Sequence, residues 1–103
     1  MKPARIAEVI HHAHQQGELL RTGTFAELES GTTALDAASA LHETRTRAGL
    51  HAVGWKLGYT SEAMRRQMNI SQPNAARIYS EWIADDSTVT RPLVHPRIEP
   101  EVS

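Results

Sequence analysis

The stretch Leu50-His-Ala-Val-Gly-Trp-Lys-Leu-Gly-Tyr59 runs at period two, and its reading decides the fold class. His51, Val53, Trp55, Leu57 and Tyr59 fall on one face, and Ala52, Gly54, Lys56 and Gly58 on the other. That alternation is the signature of a strand. Thr60 or Ser61 then caps a short helix ending near Met68, with Met64 and Met68 one turn apart on its buried side. Asn69 stands where a left-handed residue stops a helix. Gln72-Pro73-Asn74 reads as a turn. Arg77–Ile83, a turn at Asp85-Asp86-Ser87, Thr88–Thr90 and a proline-punctuated run to Val102 follow as extended segments.

Upstream, the period changes to that of helices. Ile6, Val9, Ile10 and Ala13 recur at the spacing of one helix face. Pro3 suits the first turn, where its missing N–H costs nothing, and Gly17 suits the stop, so a helix is predicted over 3–16. Residues 17–32 read as a loop pinned by Leu19, Leu20, Phe25 and Leu28, with room for a helical turn at Phe25–Glu29. Thr33 caps a second helix, with Asp36 three residues on in an acidic variant of the capping box. Leu35, Ala38, Leu41 and Arg45 share its stripe, and Gly49 ends it. The class is therefore α+β, one portion spanning 1–103: helical over 1–49, strand and helix over 50–69, extended strands over 77–103.

A chain of 103 residues makes one domain at most, and five aromatics are a lean core set. The net charge of −1 argues against a general nucleic-acid binder. The absence of cysteine removes disulfides and thiolate metal sites and permits a reducing compartment. No apolar run reaches membrane-span length, and the first residues lack the apolar stretch of a secretory signal. The expected setting is the cytoplasm.

Three groups of residues carry chemistry. Lys56 shares its strand face with Ala52, Gly54 and Gly58, an uncrowded surface from which a lysine reaches an anion or a movable proton. The plainer reading is an exposed strand lysine beside a bend. Glu99 and Glu101, at i and i+2 on a strand, leave one face together and repel unless a cation or proton lies between them. Hard divalent cations take such oxygens, while the plainer reading is a solvated acidic tail. His11 and His14, one helical turn apart, either share a metal or form a polar helix face. His42, His51 and His95 read as isolated, and Arg65-Arg66 as a basic pair on a helix surface.

Gly54-Trp-Lys-Leu-Gly-Tyr-Thr-Ser-Glu-Ala-Met64, followed by Gln72-Pro73, resembles the Gly-x-Lys-[Ile/Leu/Val]-Gly-x-Thr-Ser block of the 2-keto-4-pentenoate hydratase and 4-oxalocrotonate decarboxylase family. That family lies in the fumarylacetoacetate hydrolase superfamily. His95-Pro-Arg-Ile-Glu-Pro-Glu-Val102 is similar to the family's Pro-Arg-[Ile/Val]-Glu-x-Glu-[Ile/Val] block, in the same order and at similar spacing. The resemblance implies strands of an incomplete mixed β-roll. It implies lyase chemistry on 2-oxo or 2-hydroxydienoate acids from aromatic meta-cleavage, as a hydratase or alternatively as a decarboxylase. It also implies Mg²⁺ or Mn²⁺ held by three carboxylates, two of them matched by Glu99 and Glu101. Lys56 matches the family lysine that assists proton transfer. Family members usually read Pro-Asp-[Phe/Tyr]-Gly after the helix. Here Pro73-Asn74-Ala75-Ala76-Arg77 puts a carboxamide, Asn74, at that substrate-binding position, and a carboxamide cannot take up a proton.

Members run to about two and a half times this length, so the resemblance reaches only their first two-fifths. The third carboxylate and most of the roll would lie later. The isolated chain is expected to be inactive and its partner a small dienoate acid, with homo-oligomers in the full-length context. A non-enzymatic truncated relative acting through oligomerisation or a partner chain is the rival reading. Residues 77–103 are expected to be extended and loosely held.

Overall fold

The computed structural model describes residues 1–26, 33–85, 88–89 and 93–102. Among them run α1 (Pro3–Gln16), α2 (Ala34–Arg47), β1 (Ala52–Gly58), α3 (Glu62–Gln67), β2 (Asn74–Tyr79) and a single 3-10 turn, Ser80–Trp82. The chain divides into two compact units, Met1–Arg45 with Thr88–Ser103, and Thr46–Ser87. Helices with a two-stranded antiparallel sheet make the class α+β, as expected.

In the first unit, α1 covers the expected residues. Its Lys2 carbonyl accepts from the N–H groups of Arg5 and Ile6 at 3.0 and 3.1 Å, so Pro3 removes no needed donor. Ile6, Ala7 and Ala13 are buried, and Val9 and Ile10 half-buried, which is the predicted face. At the other end Gly17 takes φ 65°. Its N–H and that of Glu18 reach back to the carbonyls of His14 and Ala13 at 3.3 and 2.9 Å, satisfying groups the helix leaves open. The capping box of α2 is complete. Thr33 Oγ1 accepts from the Asp36 N–H at 3.1 Å, while Asp36 Oδ2 accepts from the N–H and hydroxyl of Thr33 at 3.0 and 2.9 Å. Those two bonds, the backbone one first, hold the Asp36 carboxyl below its ordinary range.

The apolar stripe of α2 is corrected by the structure, because Leu35 and Ala38 are exposed and only Leu41 and Arg45 are half-buried. Leu19 and Leu20 are likewise exposed rather than pinned, while Phe25 is half-buried. Leu28 and most of the Phe25–Glu29 turn lie outside the described residues. Within them, Thr24 and Ala26 donate to the carbonyls of Arg21 and Gly23.

In the second unit, β1 and β2 pair antiparallel with Gly54 opposite Ile78, Trp55 opposite Arg77, Lys56 opposite Ala76, Leu57 opposite Ala75 and Gly58 opposite Asn74. The register shifts between Ala52 and Gly54, so Val53 is the extra residue of a bulge. Ser61 caps α3, accepting from the Met64 N–H at 3.1 Å. Asn69, at φ 55°, ends it with the same paired bonds seen at Gly17, Asn69 to Arg66 and Ile70 to Arg65. Arg65 is no mere surface charge. Its Nη1 donates to the carbonyls of Tyr59 and Thr60 at 2.9 and 2.8 Å, tying down the turn where Tyr59 takes φ 54°. Arg66 does pair on the surface, with Glu62 at 2.7 Å.

Several burial expectations fail. Val53, Trp55 and Leu57 are each more than half exposed, and Met64 and Met68 about half exposed. Alternation made one face of β1 look buried, but a two-stranded sheet buries that face only when a second layer covers it. Arg77 instead stacks its guanidinium 4.0 Å from the Trp55 ring centroid. Among the described residues the large side chain that is fully buried is Tyr79, packed edge-on to Trp82 with centroids 4.8 Å apart. β2 also begins at Asn74, within the predicted turn, and stops at Tyr79, short of the predicted Ile83. No further strand occurs among the described residues after it. Pro96 and Pro100 each remove a ladder N–H there, and Ile98 and Val102 are fully exposed.

Candidate functional site

The antiparallel register brings two of the predicted site residues onto one face. Side chains of directly opposed residues share a face, so Lys56 and Gly58 of β1 lie with Ala76 and Asn74 of β2. Lys56 and Asn74 are diagonal neighbours there, a relation that puts side chains about 7–8 Å apart and within reach of long or polar groups. Trp55, Leu57, Ala75 and Arg77 occupy the opposite face. Of the β2 residues on that face, Ile78 is the bulky one. Lys56 and Asn74 are both exposed. The chemistry available is one ammonium and one carboxamide over a floor of glycine and alanine, a surface suited to a small anionic ligand.

Glu99 and Glu101 lie in the other unit, both exposed and outside any regular element. The strand that was to place them on one face is not formed, so no shared face follows from their spacing. As donors they fit the implied cation, since Mg²⁺ and Mn²⁺ take hard carboxylate oxygens. Among the described residues, however, no group of three histidine, cysteine, aspartate or glutamate side chains is placed to hold a metal. Two carboxylates leave most positions to water, and Mg²⁺ dehydrates reluctantly. Calorimetric titration of the 103-residue chain with Mg²⁺ is therefore expected to show no binding at micromolar metal. A micromolar Kd would mean that a complete ligand set exists within the chain.

The α1 histidines His11 and His14 face Arg45. Arg45 Nη2 lies 3.4 Å from His14 Nδ1, and the guanidinium charge is unfavourable to a cation on that face. Burial, the Arg45 charge and the neighbouring His12 together lower the pKa of His11.

His51, expected to be isolated, is held by Glu81. The Glu81 carboxylate accepts from the His51 N–H at 3.0 Å and meets His51 Nδ1 at 2.6 Å, while the Ser80 N–H donates to the His51 carbonyl at 2.8 Å. These bonds close the sheet at the end away from Asn74. The backbone bond first, then the ring, lowers the Glu81 pKa from its ordinary 4.5 to about 2. The folded state thus favours the carboxylate, so its contribution is complete above pH 4.5 and is lost as pH falls through about 2. A carboxyl carbon-13 titration of Glu81 is expected to show a midpoint near 2, and Glu81→Gln should remove that acid-range change at His51. A midpoint at the ordinary value would show the contact to be absent in solution. No signal in the sequence marks this pair, because its members are 30 residues apart.

Among the described residues, no helix is long and apolar enough to cross a membrane. No protein-family model and no solved structure matches the chain. Curated relatives do. A 4-oxalocrotonate decarboxylase from a Pseudomonas species is 31% identical over 104 residues, covering 99% of this chain and 41% of the relative. A 2-keto-4-pentenoate hydratase of Dechloromonas aromatica is 32% identical over 74 residues, 66% of this chain and 28% of the relative. The TodF product hydratase of Pseudomonas putida is 29% identical over 79 residues, 71% of this chain and 30% of the relative. The relatives are lyases of the hydratase and decarboxylase type. The chain belongs to the 2-keto-4-pentenoate hydratase and 4-oxalocrotonate decarboxylase family, and it spans about two-fifths or less of the length of the relatives it matches.

Proposed function

We propose that this chain provides the Lys56–Asn74 face, and the carboxylates Glu99 and Glu101, to a hydratase acting on 2-hydroxypenta-2,4-dienoate or 2-keto-4-pentenoate-type acids of aromatic meta-cleavage. The observation that carries the reading is the register of β1 and β2. It puts the family's lysine and the residue at its Pro-Asp position on one small-residue face. Lys56 Nζ supplies positive charge and a movable proton to a substrate carboxylate or vinyl carbon. Asn74 orients the substrate by donating from its amide nitrogen or accepting at its oxygen, and takes up no proton. Glu99 and Glu101 would hold the divalent cation with a third ligand outside the described set. When bound, that ion supplies a positive centre for the carboxylate and keto oxygens of the acid. The reading further places the protein in the cytoplasm as a homo-oligomer at family length.

A decarboxylase is the second reading, favoured by one observation: the match to the 4-oxalocrotonate decarboxylase extends over nearly the whole chain. Product analysis separates the two. A polypeptide carrying this chain at family length, completed with the later part of a relative, is incubated with 2-hydroxypenta-2,4-dienoate and with 4-oxalocrotonate. Water added across the vinyl group of the first supports the hydratase. Release of CO₂ from the second supports the decarboxylase. Neither product would refute both.

A further inference from the structure

Gly54 and Gly58 flank Lys56 in β1, each two residues from it and on its face, yet their surroundings differ. A side chain added at Gly54 would meet nothing within 4 Å. One added at Gly58 would run into the carboxamide of Asn74, with the Oδ1 atom the closest. Neither glycine has the positive φ that would demand glycine for backbone reasons. What Gly58 provides is therefore room. Asn74 opens β2 directly opposite it, and the carboxamide folds back across β1 into the space a Cβ would fill.

We propose that Gly58 is a positioning residue, whose missing side chain lets the Asn74 carboxamide lie over β1 beside Lys56. The pair then presents an ammonium and an amide to one ligand carboxylate. The identity of that ligand rests on the reading above, whereas the placement of Asn74 by Gly58 does not. The pressure falls on the far end of a two-torsion side chain rather than on backbone. Gly58→Ala should therefore leave the sheet intact and swing the carboxamide away.

The test uses the 103-residue chain and NMR. In the parent protein, cross-relaxation should connect the Asn74 side-chain amide protons with the Gly58 α-protons. Gly58→Ala should abolish those contacts and shift the Asn74 amide pair, with the β1–β2 backbone contacts retained. Gly54→Ala, the same change on the same face, should leave the Asn74 signals where they are. If Gly58→Ala does not fold, Gly58→Ala with Asn74→Ala must restore folding, since the obstruction is that side chain alone. The proposal is overturned if the Asn74 amide is unmoved by Gly58→Ala, if Gly54→Ala moves it as much, or if the double variant stays unfolded. Pyruvate, a minimal 2-oxo acid, provides the separate arm. Perturbation of Lys56 and Asn74 signals by pyruvate that Gly58→Ala weakens about tenfold, the scale of one charge-assisted hydrogen bond, supports the shared ligand. If pyruvate perturbs neither residue while Gly58→Ala still displaces the carboxamide, the shared ligand is refuted and the positioning role stands; the lyase reading is decided separately, by the product analysis at family length.

Discussion

Lys56→Ala, in a polypeptide that carries this chain at family length, is expected to lower turnover by about 10²–10⁴-fold, the usual contribution of a positioned acid–base group. Metal affinity should be nearly unchanged, because the proposed metal carboxylates are Glu99 and Glu101 and not groups on the Lys56 face. The two effects separate cleanly: kcat is read from dienoate consumption and metal affinity from the Mg²⁺ dependence of that rate. Lys56→Arg keeps the charge but presents a guanidinium that does not give up its proton. It should recover ligand binding better than turnover. A Lys56→Ala variant with near-normal kcat would leave this residue an ordinary strand lysine and remove the centre of the proposed chemistry.

The second large effect concerns folding. Tyr79→Ala removes the fully buried large side chain and its edge-on contact with Trp82. Truncating a buried aromatic typically costs about 3–5 kcal/mol. Domains of this size hold about 5–15 kcal/mol in total, and with Ile6, Ala7 and Ala13 as the other buried apolar residues described, the margin here belongs at the low end. The variant is expected to lose the β1–β2 pairing, read as collapse of the near-ultraviolet dichroism of Trp55 and Trp82. Tyr79→Phe keeps the ring and should stay folded. Retention of cooperative unfolding in Tyr79→Ala would show that the sheet is stabilised elsewhere.

What the sequence made legible is local. The stops at Gly17 and Asn69 and the reciprocal bonds of Thr33 and Asp36 depend on residues within a few positions of one another, and the structure contains each as expected. The alternation over 50–59 likewise marks β1, which occupies Ala52–Gly58 within it. β2 was harder to read because Asn74, Ala75 and Ala76 have poor strand propensity. Its pairing is decided by β1 across an intervening helix rather than by its own residues. Burial was misread for a related reason. Alternation puts Trp55 and Leu57 on one face, with the bulge at Val53 interrupting it, but whether that face is covered depends on a second layer, which no local pattern encodes.

The candidate site divides the same way. Lys56 stands out through its glycine neighbours, and Asn74 only through the family pattern. That the two share a face, and that Gly58 makes space for Asn74, are consequences of register. The clamp of Glu81 on His51 is equally non-local. For Glu99 and Glu101, spacing identified a pair of hard donors, but the same-face argument assumed a strand, and Pro100 lacks a ladder N–H and no strand is formed there among the described residues.

The most direct measurement is the consumption of 2-hydroxypenta-2,4-dienoate with and without Mg²⁺, followed by the loss of its conjugated absorbance. It is run on the 103-residue chain and on a polypeptide carrying that chain at family length. The prediction is Mg²⁺-dependent consumption by the longer polypeptide and none by the 103-residue chain, whose described residues lack a three-ligand metal group. Metal-dependent turnover by the 103-residue chain alone, or none by the longer polypeptide at saturating Mg²⁺, would contradict the account.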